Sequence, residues 1–233
     1  MVFGKLYNAR WSIERTCRDH AMRVDTELLK AASARLKVLL PMVQAETDLN
    51  SLRGLEGSAA AVYFGVFDHL ILGRKDVFSF TGRSRRPPLD PCNALLSFAY
   101  SLLANDCAAA LESVGLDSYV GFLHTDRPGR RSLAADLMEE LRPCLADRFV
   151  LSAINLGKFS DKDFDRQENG AVYLSDSGRK AFLQSWQEKK RDEIRHPYLD
   201  EKISWGLVPY VQALLLARYL RGDTEDYPPF LWK

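Results

Sequence analysis

The sequence is poor in the residues that usually advertise a chemistry. Its 233 residues hold four histidines, His20, His69, His124 and His196, and four cysteines. Cys17, Cys92, Cys107 and Cys144 lie far apart, with no C-x-x-C pair and no matching histidine spacing, which argues against structural zinc. Cys92 and Cys107 fall inside a helical apolar pattern, where a reduced thiol behaves as a small hydrophobe, so a reducing compartment fits better than secretion. Charge of one sign is also missing. The 32 basic and 31 acidic side chains leave +1, so a polyanionic partner has to be met by local clusters. Apolar runs such as "ALLLA" at 213–217 are far too short to span a bilayer. Lys5, Arg10, Glu14 and Arg15 break any signal-peptide core near the start. These absences predict a soluble, cytoplasmic protein without membrane contact.

Alternating strand patterns are nearly absent too, and helical periodicity dominates. In "DTELLKAASARLKVLLP", Leu28, Leu29, Leu36, Leu39 and Leu40 recur at helical spacing from a cap at Asp25 or Thr26 to a stop near Pro41. A second helix is predicted from about Asp48 to about Leu72. A third has Asp90 as N-cap, Pro91 in the first turn and Gly115 at the C-terminal cap. A short helix from Ser132 to Arg142 should be halted by Pro143. Two more helices are read in "KAFLQSWQEKKRDEI" and "KISWGLVPYVQALLLARYLRG". With no repeats and no linker, the expectation is a single all-α domain with an irregular insertion near 157–180, where "AVYL" can form a small hairpin.

In the second helix Leu52, Glu56, Ala59, Ala60, Tyr63 and Phe67 share one face. Glu56 is the one acid on that stripe, and a buried carboxylate costs several kcal/mol unless paired or metal-bound. Gly54 and Gly57 flank it, each costing roughly 1 kcal/mol in a helix, which suggests close approach of a backbone or a ligand. The alternative is an edge position for Glu56, paired with Arg53 or another arginine.

The stretch "GFLHTDRPGRRSLAADLMEELRP" (121–143) sets His124 before a charged turn and an acidic helix. Asp136 and Glu139, three apart, project from one side, with Leu133, Leu137 and Leu141 on the other. A divalent cation relieves the repulsion between these acids, and so does Arg142. Glu140 reads as a solvated neighbour. Oxygen ligands favour magnesium, and an added imidazole shifts preference toward manganese. A lone histidine is more often a core residue. Together with Glu56, however, this set could bind a metal that activates a hydroxyl and stabilises a phosphate in in-line displacement. "GRKDVFSFTGRSRRPP" (73–88), basic but for Asp76, and "RPGRR" (127–131) then offer phosphate contacts through Arg85, Arg86, Arg127, Arg130 and Arg131. The bland alternative for either run is a solvated loop.

"LRGLEGSAAAVYF" (52–64), "RRPPLDPCNALLSFAYSLL" (85–103), "YVGFLHTDRPGRRSLAADLMEELRP" (119–143) and the ending "YPPFLWK" closely resemble CRISPR-associated protein one, the DNA integrase of spacer acquisition, in its type I-C form. The resemblance implies an all-α catalytic domain spanning 1–233. The family's N-terminal β-rich domain, which helps to build its homodimer, is then absent, because "MVFGKLYNARW" already matches the helical part. It implies a metal triad of Glu56 in "RGLEG", His124 in "GFLH" and Glu139 in "DLMEE", holding Mg2+ or Mn2+, with Asp136 as a supporting catalytic acid. Arg142 matches a basic position and Asn93 opens the "NALL" helix. Ala135 replaces a larger apolar residue, a departure expected to affect packing rather than chemistry. The implied reaction is attack of a DNA 3′-hydroxyl on a phosphodiester of a CRISPR array. The implied substrates are double-stranded and branched DNA, and the implied partner is CRISPR-associated protein two. An opposing expectation is a helical fragment that binds DNA and partners without catalysis.

Overall fold

The computed structural model describes residues 1–125 and 127–233. Among these described residues eight α-helices carry the fold: α1 (Val2–Asp19), α2 (Thr26–Ala45), α3 (Leu49–Gly65), α4 (Pro91–Ser113), α5 (Ser132–Met138), α6 (Arg148–Asn155), α7 (Asp176–Arg191) and α8 (Val208–Leu220). Helix α4 is the central rod. Asp90 caps it by accepting from the Asn93 amide at 2.7 Å, and Gly115 closes it at φ +83°, where a Cβ would be strained. By length and composition α4 would pass for a membrane span. Yet Leu95, Leu96, Ala99, Leu103, Cys107 and Leu111 are fully buried and the helix packs on α5, α6 and α8, so it is the core of this domain. All four cysteines are free and buried.

Two short antiparallel hairpins complete the fold. The first, β1 (Phe164–Arg166) with β2 (Val172–Leu174), lies in the expected insertion and uses "AVYL". The second, β3 (Glu193–Arg195) with β4 (Lys202–Ser204), corrects the reading of 193–195 and 202–204 as helix ends. Ile194 faces Ile203 across this hairpin, and the pair packs on the core, a tertiary contact that overrides local helix preference.

Both proline stops are corrected. Helix α2 runs through Pro41 to Ala45, since an exposed proline near a helix end loses one hydrogen bond without breaking the packed face. At Pro143 the chain neither halts nor stays α-helical. The end of α5 tightens, with the Glu139 amide on the Asp136 carbonyl (3.2 Å) and the Leu141 amide on the Met138 carbonyl (3.0 Å). Residues Arg142–Asp147 then widen into a π-helical turn leading into α6. A proline ring collides with the carbonyl four residues back, and a wider turn relieves that collision. The predicted second helix likewise ends at Gly65, with a 3₁₀ turn over Phe67–Leu70.

Candidate active site

The loop carrying His124 is held from both sides. Asp136, fully buried on α5, accepts the amides of Phe122 (2.6 Å), Leu123 (2.9 Å) and His124 (3.0 Å). On the other side the Arg53 Nε of α3 donates to the Leu123 carbonyl at 2.8 Å. Arg53 is therefore not the partner of Glu56. Gly121 lets the loop lie against α5, because a Cβ there would come within 2.6 Å of the Ser132 Cβ. The Ser118 carbonyl accepts the free amides of Leu133 (3.0 Å) and Ala134 (3.2 Å) at the start of α5.

His124 Nδ1 lies 2.5 Å from Asp136 Oδ1. An ionised carboxylate only accepts, so Nδ1 carries the proton and Nε2 presents a lone pair. That Nε2 lies 3.8 Å from Glu139 Oε1. A carboxylate that fixes the tautomer of an imidazole in this way is the usual support of a metal-binding histidine.

Glu139 and Glu56 come together from α5's end and α3, with a cation between them. The Lys5 ammonium of α1 donates to Glu56 Oε1 and lies 2.6 Å from Glu139 Oε2. Glu139 Oε2 is buried and makes no hydrogen bond of good geometry, and Arg142 holds its other oxygen at 3.0 Å. Burial raises the Glu139 pKa, but the charges of Arg142 and Lys5 outweigh it and lower the group to about 2. Glu139 is thus an ionised, cation-demanding group that faces Glu56 across the Lys5 ammonium. Two carboxylates and a tautomer-locked imidazole are a donor set that fits Mg2+ or Mn2+, and the lysine stands in for the positive charge. Among the described residues no three acid, histidine or cysteine side chains already converge at ligand spacing, since Lys5 lies between the carboxylates.

These groups lie at a cleft of about 720 Å³ lined in part by Glu56, His124 and Glu139 together with Arg83, Arg85, Arg86, Arg130, Arg131 and Arg142. Arg127 is not among its lining residues. Arg142 sits on the floor, its guanidinium engaged by Glu139 and stacked 5.0 Å over Tyr100. Ala135 also lines the cleft. Asn93, fully buried, organises the basic wall. It accepts from Arg83 (2.6 Å) and the Ser84 amide (3.1 Å), and it donates to the Gly82 carbonyl (2.8 Å). The glycines flanking Glu56 have nothing within 4 Å of a built Cβ, so the expected close approach of a backbone is corrected: that side of α3 is open. Glu140 is corrected as well. It is fully buried and accepts from Tyr227 (2.5 Å), Gln212 (2.7 Å) and the Phe230 amide (3.2 Å), anchoring the "YPPFLWK" ending.

Sequence reasoning missed Lys5, Tyr100 and the bracing role of Arg53. Lys5 had a readable signal: it sits on the Val2–Lys5–Ala9–Ile13 stripe of α1, as out of place there as Glu56 is on its own helix.

Beneath the floor Tyr100 donates to Asp147 Oδ1 at 2.5 Å. Burial raises the Asp147 pKa from 3.8 to about 6, against the pull of Tyr100 and Arg142. A raised carboxyl pKa lends stability that is complete below the unfolded value and is lost as pH rises through the folded one. The shift corresponds to on the order of 3 kcal/mol. An Asp147→Asn variant has no such titration. Denaturant unfolding is expected to show its stability relative to wild type rising by up to about 3 kcal/mol from about pH 4 to about pH 7.5. A flat difference would contradict the burial of an ionisable Asp147.

Comparison with known proteins shows the family. Residues 1–188 match the family described as CRISPR associated protein Cas1. The chain belongs to the Cas1 family. It is 54% identical over 237 residues to a CRISPR-associated endonuclease Cas1 of Rhodospirillum rubrum, and 50% identical over 232 residues to one of Chlorobaculum tepidum. All of this chain is covered in both matches, which span 69% and 68% of those relatives. Its fold is similar to that of a casposase bound to integration product, with TM-score 0.80 and 27% identity over the whole chain and 62% of the casposase. It is similar also to a chain of a Cas6-RT-Cas1–Cas2 complex, with TM-score 0.81 and 28% identity over the whole chain and 24% of that chain. The mainly helical architecture is common to the family and to this chain, while subtype I-C is a matter of resemblance alone.

Proposed function

We propose that this Cas1-family chain is the catalytic part of a metal-dependent DNA integrase and endonuclease acting in CRISPR spacer acquisition. The observation that carries the reading is the facing Glu56–Glu139 pair, with His124 Nε2 3.8 Å from Glu139, at a cleft lined by arginines. Glu56, Glu139 and His124 hold Mg2+ or Mn2+, which polarises a phosphodiester and lowers the pKa of an attacking hydroxyl when bound. Asp136 keeps the imidazole in its Nδ1–H form. Arg85, Arg86, Arg130 and Arg131 seat DNA phosphates and orient the duplex without reading its sequence. Arg127 contributes from outside the cleft lining. Arg142 keeps Glu139 ionised.

The reaction is attack of a DNA 3′-hydroxyl on an array phosphodiester: a new P–O bond forms as the array strand's P–O3′ bond breaks and its 3′-hydroxyl leaves, with water as the nucleophile when branched DNA is cleaved. Similarity to chains solved as Cas1–Cas2 and casposase–DNA complexes supports Cas2 and DNA as partners, and a Cas1 homodimer is the expected assembly. The test is strand transfer and cleavage on labelled branched duplexes with Mg2+ or Mn2+. Product formation abolished by chelator is the expected result. Product formation indifferent to chelator overturns the metal reading, and tight DNA binding without any product selects the non-catalytic reading.

A further inference from the structure

We propose that Lys5 is a built-in counter-cation of the site: its ammonium holds Glu56 and Glu139 together in the metal-free protein and has to leave that position for a divalent ion to enter. The inference rests on the metal reading above. The Lys5 side chain is only 11% exposed, fixed by α1 on the stripe shared with Val2, Ala9 and Ile13. A buried ammonium persists where it is paired, and both partners of this one are carboxylates of the proposed metal set.

One lysine neutralises one of two facing carboxylates, whereas a divalent ion neutralises both. Two cations cannot share that space, since like charges a few ångströms apart repel strongly even at an effective dielectric near 20. The flexible four-carbon stem lets the ammonium swing aside while α1 stays in place. Lys5 therefore has two consequences. It holds the acid pair together and neutralises one of its two charges without an ion, and it weakens ion binding relative to what the carboxylates alone would achieve.

Calorimetric titration with Mn2+ of the DNA-free protein tests this on wild type, Lys5→Met and Lys5→Arg. Lys5→Met is expected to bind Mn2+ at least about tenfold more tightly than wild type. It should melt lower without metal and regain more degrees at saturating Mn2+. Lys5→Arg, which keeps the charge, should stay closer to wild type. In wild type, the Lys5 side-chain ammonium NMR signal is expected to shift or broaden on saturation with Mg2+, a readout that does not depend on any variant folding. Equal or weaker Mn2+ affinity in Lys5→Met beside intact wild-type binding overturns the inference, as does a Lys5 signal unmoved by Mg2+. Absence of ion binding by every form instead overturns the metal reading, and this inference with it.

Discussion

Glu56→Gln is expected to lower metal-dependent cleavage and strand transfer at least about a hundredfold while leaving the fold intact. The substitution keeps the shape of the side chain and removes one of the two negative charges facing the cation. Of the acids at the site Glu56 is the most accessible, with a side chain 25% exposed against 3% for Glu139 and none for Asp136. Its one ion pair is with Lys5, so the stability cost is small. A large fall in rate with an unchanged melting temperature assigns the loss to chemistry. Rates compared at saturating Mn2+ separate weakened ion binding from a failure in the chemical step. Activity within about threefold of wild type would remove Glu56 from the site.

Arg142→Met should act through stability. The guanidinium is 16% exposed, pairs with Glu139 at 3.0 Å and packs over Tyr100. Burial lowers its pKa, but Glu139, Tyr100, Asp147 and Glu56 together outweigh this and the group is raised. Breaking a buried pair costs about 3–5 kcal/mol, and because Lys5 still faces Glu139 the loss expected here is near the lower end, about 3 kcal/mol. The sign with pH follows from Glu139. A carboxyl lowered from 4.5 to about 2 contributes stability above pH 4.5 that is lost as pH falls toward 2, so the variant's deficit is largest near neutrality and shrinks in acid. Denaturant unfolding near pH 7 measures it, and pairing the change with Glu139→Gln should recover part of the loss. A deficit under about 1 kcal/mol would mean that the pair is solvated.

These two residues also separate what could be read in the chain from what could not. Glu56 was visible because an acid on an apolar stripe is a local contradiction, and periodicity alone exposes it. Lys5 on the apolar stripe of α1 is a contradiction of the same kind. Arg142 was legible only as a charge three residues from Glu139. That it lies on the cleft floor over Tyr100 follows from the π-helical turn at Pro143, which replaced the expected stop. Glu140 failed for a related reason: tightening and then widening of the chain around it turns its side chain inward, toward Gln212 and Tyr227, some seventy and more residues further along.

Periodicity, caps and turn residues determined the helical class, the extent of α4 from Asp90 to Gly115 and the small hairpin near 164–174, because those signals are local and each reports on its own few neighbours. Family motifs supplied the set Glu56, His124, Asp136 and Glu139 with a role for each. What only the tertiary structure decided is the company these residues keep. A lysine from α1 sits between two acids fifty-one and more residues away, an arginine of α3 braces the His124 loop, and Asn93 gathers the basic wall onto α4. Such pairings join distant segments and depend on which faces meet in the packed core. A window of sequence holds one half of each pair and no record of the other.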